Sequence, residues 1–238
     1  VGGLHIMTDI RLVIFDFDGV LVDSEVISAR MLVAELALHG VEIDLPYVAR
    51  HFLGRSYPVV LHQIRQEFGI VLPEGFEADY RARLIEAFRH ELRVMPGARE
   101  TVEALRLPYA LATSSSPARL MRSLEITGLS ALFEGRITTA TEVANGKPAP
   151  DLPLLAAAKA GIRPEHCLLI EDSLAGIRAG LAAGMQVWHF TGGSHFAEIE
   201  PPSAPDAQPH RRFADFGELA HLAPHLLTSA ATRTLPYE

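Results

Sequence analysis

Leu12 to Phe15 is an unbroken apolar run of branched and aromatic residues, the pattern of a strand covered on both faces of a parallel sheet. Further strands are predicted at Tyr109 to Thr113, Arg136 to Thr139, Cys167 to Ile170 and Gln186 to Phe190. Helical patterns separate or precede them: Ala98 to Leu105, Pro117 to about Ile126 with Gly128 behind it, Leu152 to Ala160 and Leu174 to Ala183. Val20 to Val22 reads as a second short extended piece. From Ser24 to Arg93 the period is helical only. Ile27, Met31, Ala34 and Leu38 mark a first helix ended by Gly40, and others are expected at about Leu45 to Phe52, Pro58 to Phe68 and Phe76 to Leu92. Gly192 to Pro209 reads as an irregular loop and Phe216 to Leu227 as a closing helix. The expected fold is α/β: a Rossmann-like parallel sheet with helices on both faces, formed by residues 1–23 and 94–238, into which residues 24–93 insert an all-helical domain.

At 238 residues the chain is long enough for one large α/β domain and a small insert, and 48% apolar with 21% charged residues is an ordinary globular composition. The formal charge of −8 argues against nucleic acid and against an anionic membrane surface as partners, and no protein partner is implied. No apolar run nears the ~20 residues of a membrane span and no secretory signal is visible, so a cytoplasmic location is expected. Val1 to His5 precede Met7 without a pattern and read as a leftover of expression. The single cysteine, Cys167, opens a strand and reads as a buried strand residue rather than a nucleophile. The histidines, His39, His51, His62, His90, His189, His195, His210 and His221 among them, show no compact ligand spacing.

Charge ends the first strand. Asp16 and Asp18, two apart on an extended chain, point the same way, toward the sheet edge where open α/β folds bind ligands. Gly19 permits a tight turn, and Asp23-Ser24 offers a helix N-cap. Asp beside Gly usually does no more than cap a turn. As a functional pair the two carboxylates repel, and need a shared proton or, better, a hard divalent cation. Three further segments weigh toward function. Thr113-Ser114-Ser115-Ser116 ends a strand and precedes the helix opened by Pro117, a place that suits a phosphate as well as a plain N-cap. Lys147 is one of only two lysines among 21 basic residues, and Pro148 and Pro150 stiffen the chain around it, where most lysines are simply solvated. Glu171-Asp172 ends another strand; a second acidic pair at a neighbouring strand end is what a Mg²⁺ site requires, and N-capping by Asp172 or Ser173 is compatible with it.

Asp16-Phe17-Asp18-Gly19-Val20, with Asp23-Ser24 behind it, resembles the first motif of the haloacid dehalogenase (HAD) superfamily in its phosphatase and phosphomutase branch. The other three segments resemble the remaining motifs in order, over about residues 10 to 190, and the helical insert is similar to that of β-phosphoglucomutase-like and sugar-phosphate phosphatases. The resemblance implies a Mg²⁺-dependent phosphatase acting on a small phosphate ester, a sugar phosphate, with Asp16 as nucleophile and Asp18 as general acid/base. It implies that Thr113 binds a phosphoryl oxygen, with Ser114 and Ser115 beside it, and that Lys147 balances charge. Mg²⁺ would be held by Asp16, the backbone carbonyl of Asp18, Asp172 and, directly or through water, Glu171. The insert would be a cap that selects the substrate. Phe52-Leu53-Gly54-Arg55-Ser56 resembles the cap's substrate loop, with Gly54 and Arg55 as contacts; Arg55 either binds a second anionic group or faces solvent. Dehalogenases of the family lack a counterpart of Asp18, and its phosphonatases need a cap lysine, which residues 24–93 do not contain. β-Phosphoglucomutase has His at the place of Ser28, a departure that favours water as acceptor over phosphomutation. A non-catalytic phosphate-binding module on the same fold is the alternative of a different class.

Overall fold

Six strands, β1 (Leu12–Phe15), β2 (Tyr109–Thr113), β3 (Ile137–Thr139), β4 (Cys167–Glu171), β5 (Gln186–Phe190) and β6 (Arg211–Phe213), form one parallel sheet in the order β3-β2-β1-β4-β5-β6. The computed structural model describes residues 9–52, 57–197 and 200–228. Every side chain of β1 and β4 is buried, as their apolar runs require. Strand parity then builds two layers. Between β1 and β2 the chain forms four helices, α1 (Glu25–Ala37), α2 (Leu45–His51), α3 (Tyr57–Phe68) and α4 (Phe76–Glu91), and then α5 (Ala98–Ala104). After β2 come α6 (Pro117–Thr127) and the single turn α7 (Ser130–Phe133); α8 (Asp151–Lys159) precedes β4 and α9 (Leu174–Ala182) follows it. Val13, Phe15, Leu168 and Ile170 face a core shared with Val102 of α5 and Leu120 and Leu124 of α6. Leu12, Ile14, Cys167 and Leu169 face the other way, onto Leu152 and Ala156 of α8 and Ile177 of α9.

The chain leaves β1 toward β2 and β3 and returns across the sheet to β4, so strand order reverses between β1 and β4. In open α/β sheets a crevice forms outside the carboxyl ends at such a point. The four helices between Glu25 and Glu91 roof it, and Ile64, Leu84 and Phe88 from them join the same buried cluster as Phe15 and Leu120. Among the described residues, no helix is long and apolar enough to cross a membrane.

Four local expectations change. Of the short extended piece expected at Val20 to Val22 only Val22 is extended, bridged to Val94; Val20 and Leu21 lie in a hydrogen-bonded turn, in which Gly19, at φ 73°, donates to the Val22 carbonyl at 2.9 Å and Leu21 donates back to Phe17 at 3.0 Å. The buried face of α1 is Ile27, Leu32, Glu35 and Leu36, roughly a quarter turn from the expected stripe at 100° per residue; Leu38 is 65% exposed, because Glu35 turns inward to meet Arg83 of α4 at 2.7 Å. The closing helix is broken into α10 (Leu219–Leu222) and a 3-10 turn on either side, since Pro224 has no N–H to continue it. Finally, β6 follows the loop. Its Arg211 and Arg212 are exposed and only Phe213 is buried, so a short basic edge strand hid behind a polar pattern.

Candidate active site

Asp16 is the first residue past β1, and its N–H donates to the Ile170 carbonyl of β4 at 2.9 Å, which ties the two strand ends together. Its carboxylate accepts a 2.8 Å hydrogen bond from Lys147 Nζ, which also donates to Glu171 Oε1 at 2.7 Å; the lysine side chain is 3% exposed. Glu171 turns back on its own chain, and its Oε2 accepts from the Ser173 N–H at 2.5 Å. That fold-back needs Gly176, because a Cβ there would overlap the Glu171 carboxylate. Ser173 caps α9 by accepting from the Gly176 N–H at 3.1 Å. Gly19 is needed for a similar reason: a Cβ would strike Asp172 Oδ2, and the backbone is left-handed.

Asp18 lines the same cavity. Its Oδ1 accepts from Ser24 Oγ at 2.7 Å and from Arg119 Nη2 at 2.7 Å, and its Oδ2 accepts from Ser115 Oγ at 2.5 Å. Thr113 is buried at the end of β2, where its Oγ1 accepts from the Ser115 N–H at 3.0 Å. Ser116 caps α6. Asp16, Asp18, Thr113, Ser114, Ser115, Arg119, Lys147, Glu171 and Asp172 line one cavity of about 410 Å³ whose roof is made by Leu32, Val48, Val60, Tyr80 and Leu84 of the helical insert.

Burial raises the Asp16 carboxyl well above the usual range, with Glu171 and Asp172 adding to the rise and Lys147 opposing it. Asp172 is raised in the same way, first by burial and then by Glu171. Glu25, at the start of α1, is pushed up to about 8 by burial and by the Asp172 and Asp18 charges. Burial works against the charge of Lys147, but Asp16 and Glu171 outweigh it and keep the ammonium protonated. Excess negative charge is thus the dominant fact of the site. Asp16, Glu171 and Asp172 each present an oxygen, all within 4.8 Å of one another, and Asp172 Oδ2 is buried without a well-formed hydrogen bond among the described residues, its near neighbour being His195 Nε2 at 3.2 Å. Three converging carboxylates with an unsatisfied oxygen fit a hard cation such as Mg²⁺.

The structure therefore brings Asp16, Asp18, Thr113, Ser114, Ser115, Lys147, Glu171 and Asp172 to one cavity. Gly54 and Arg55 lie outside the described residues. Three participants escaped the sequence reading. Arg119 comes from the first turn of α6, where a side chain two residues past Pro117 can reach back to the strand ends; that position was the available signal. Glu25 immediately follows Ser24, which, contrary to expectation, does not cap α1 with its side chain because its hydroxyl donates to Asp18 instead. His195, in the loop after β5, is buried with Nε2 3.2 Å from Asp172 Oδ2, and nothing in its spacing announced this. Of the other arginines of the insert, Arg30 pairs with Glu91 and Arg83 with Glu35, while Arg81 faces the cavity and donates to Ser116 Oγ at 3.0 Å.

The model of the haloacid dehalogenase-like hydrolase family matches residues 10–184. The 6-phosphogluconate phosphatase of Escherichia coli (strain K12) is 30% identical over 82% of this chain and 89% of its own length. Hexitol phosphatase A of the same organism is 33% identical over 73% of this chain and 80% of its own. The crystal structure of a HAD family hydrolase from Deinococcus radiodurans R1, with bound phosphate and sodium, superposes with a TM-score of 0.74 at 36% identity, covering 93% of this chain and 99% of that one. With its strand-end carboxylates at the point where strand order reverses, and with these relatives, the chain belongs to the haloacid dehalogenase-like hydrolases.

Proposed function

We propose that the protein is a Mg²⁺-dependent phosphatase that hydrolyses a small phosphorylated metabolite, a sugar phosphate, by way of a phosphoryl group carried on Asp16, and that residues 24–93 act as its cap. The observation that carries this reading is the state of Asp16: a strand-end carboxylate held by Lys147 at 2.8 Å and converging with Glu171 and Asp172, each offering an oxygen within 4.8 Å of the others. The naming of two relatives for 6-phosphogluconate and hexitol substrates supports the sugar-phosphate class. The relative crystallised with phosphate supports an anion in this cavity.

Attack by a carboxylate on a phosphate dianion is opposed by like charge. Mg²⁺, held by Asp16, Asp172, Glu171 and the Asp18 carbonyl, would supply the positive charge that offsets this repulsion. Lys147 bridges Asp16 and Glu171 and holds the Asp16 oxygen still while adding a second positive charge. Thr113 and Ser114, at the opening of α6, offer donors to the phosphoryl oxygens. Asp18 gives its proton to the departing alcohol and then takes one from the water that releases phosphate from Asp16. The helical roof excludes bulk water while this happens. Phosphomutation needs a different acceptor. At the position that distinguishes the mutase, Ser28 Oγ donates to the Ser24 carbonyl at 2.9 Å and accepts from Arg119 at 3.2 Å, and no histidine is among the described residues lining the cavity.

The test is phosphate release from an aryl phosphate and from a panel of phosphorylated metabolites, with and without chelator. Hydrolysis lost on chelation and restored by Mg²⁺ is expected; turnover that survives exhaustive chelation, or none on any substrate, contradicts the proposal.

A further inference from the structure

Asp172 is met by two imidazoles. His189 of β5 donates from Nε2 to the Asp172 carbonyl at 2.9 Å and so fixes the backbone of that residue. His195 stands against its side chain, with Nε2 3.2 Å from Oδ2 and both groups buried. Neither that oxygen nor either nitrogen of His195 has a well-formed hydrogen bond among the described residues. Buried polar atoms seldom stay unpaired, and a donor and an acceptor this close need only a small turn of one side chain to satisfy each other. Asp172 has particular need of such a partner. Lys147 bonds Asp16 and Glu171 and leaves the third carboxylate of the cluster without a bond from it.

The loop that carries His195 holds the ring in place. Just past β5, Thr191 donates from its N–H and Oγ1 to the Phe213 carbonyl at 2.8 and 3.2 Å. Ser194 donates from its N–H and Oγ to Asp23 Oδ1 at 3.1 and 2.8 Å, which fastens the loop to the segment that follows Asp18. Gly193 passes so close that a Cβ there would overlap the His195 ring, and the ring rests on Phe196 with centroids 3.8 Å apart. His195 is not among the described residues lining the cavity, so its effect on the chemistry passes through Asp172.

We propose that His195 is a positioning residue for the metal: by donating from Nε2 to Asp172 Oδ2 it fixes how that carboxylate faces Mg²⁺ and thereby sets the protein's affinity for the ion. This deepens the reading of the acidic cluster as a Mg²⁺ site and rests on it. Asp172 keeps its other oxygen, and Oδ2 keeps a second lone pair, so the contact orients the carboxylate without competing for the ion. Without the donor, the work of ordering Asp172 falls to the ion itself, and binding weakens.

The experiment titrates Mg²⁺ into the full chain by isothermal calorimetry and melts the same proteins in chelator. His195→Phe keeps a ring against Phe196 without a donor, and His195→Gln keeps an N–H close to the place of Nε2 without the ring. The Phe variant should bind Mg²⁺ roughly 10- to 100-fold more weakly than the wild type, the span usual for a donor behind a metal ligand, and the Gln variant should recover most of that loss. The Mg²⁺ concentration that gives half-maximal hydrolysis of an aryl phosphate should rise by the same factor in the Phe variant. Mg²⁺ affinity unchanged in the Phe variant overturns the inference and leaves the metal site and the phosphatase reading standing. A wild type that binds no Mg²⁺ overturns the inference together with the site it rests on. An equal loss in the Phe and Gln variants, with both melting lower in chelator, makes His195 a packing residue of its loop and overturns the positioning role; an equal loss with unchanged melting overturns it as well, because a restored donor then has no effect. If His195→Phe does not fold, the smaller donor-free His195→Leu is compared with His195→Gln on the same terms.

Discussion

Asp16 and Asp18 stand two residues apart and meet opposite surroundings, which is why their substitutions should differ in kind. Asp16 is buried against Lys147 and two other carboxylates, and Asn in its place keeps size and hydrogen bonding but cannot attack phosphorus. Asp16→Asn should lower kcat by roughly 10³-fold or more with the melting temperature little changed; retention of more than a few per cent of turnover would remove it from the nucleophile role. Asp18→Asn should slow alkyl phosphates far more than aryl phosphates, whose leaving groups need less help from a proton donor. Equal losses on both, measured side by side, would make Asp18 structural. At this scale legibility follows chain distance. Asp16, Asp18, Lys147, Glu171 and Asp172 stand in short stretches whose neighbours (Gly19, Pro148, Ser173) advertise turns and caps. Arg119 and Glu25 reach the same cavity from the first turns of two helices, while His195, from a loop, meets Asp172 without lining the cavity, and only the fold brings them together.

The junction of β4 and α9 shows how an element holds a site. Glu171 can fold back to the Ser173 N–H and to Lys147 only because α9 presents no side chain at Gly176. Gly176→Ala should therefore act on both stability and activity: an overpacking loss of about 1–3 kcal/mol in urea denaturation, and a drop in kcat as Glu171 releases Lys147. A variant as stable and as active as the wild type would show that the glycine is incidental. The elements themselves were legible where burial is complete. β1 and β4 are covered on both faces and read as unbroken apolar runs, whereas β6 is a three-residue edge with two exposed arginines and carries no such signal. The inward face of α1 was misread because it contains Glu35, whose burial depends on Arg83 of a helix 48 residues away.

Taken whole, the molecule gathers negative charge at the carboxyl edge of its sheet, and its stability should respond to pH and metal together. Asp16, Asp172 and Glu25 have folded-state values above their unfolded ones, with Glu25 at about 8 against an ordinary 4.5. Such groups stabilise the fold fully below the unfolded value and lose that contribution as pH rises through the folded one. His189 and His195 are shifted down by burial and act in the opposite sense, weakening the fold as pH falls below about 6.5. Between about pH 6.5 and 8 the carboxylates act alone, so the melting temperature of chelated protein should fall across that window. The increment produced by Mg²⁺ should grow over the same window, because the ion binds the deprotonated form. A flat profile with no metal increment in differential scanning calorimetry would separate the acidic cluster from metal binding. The proposed covalent passage of the phosphoryl group through Asp16 is tested most directly by the stereochemistry of hydrolysis of an isotopically chiral phosphate ester. Transfer first to Asp16 and then to water is two in-line displacements, and should return phosphate with net retention at phosphorus. Net inversion would mean a single direct attack by water and would contradict the role given to Asp16.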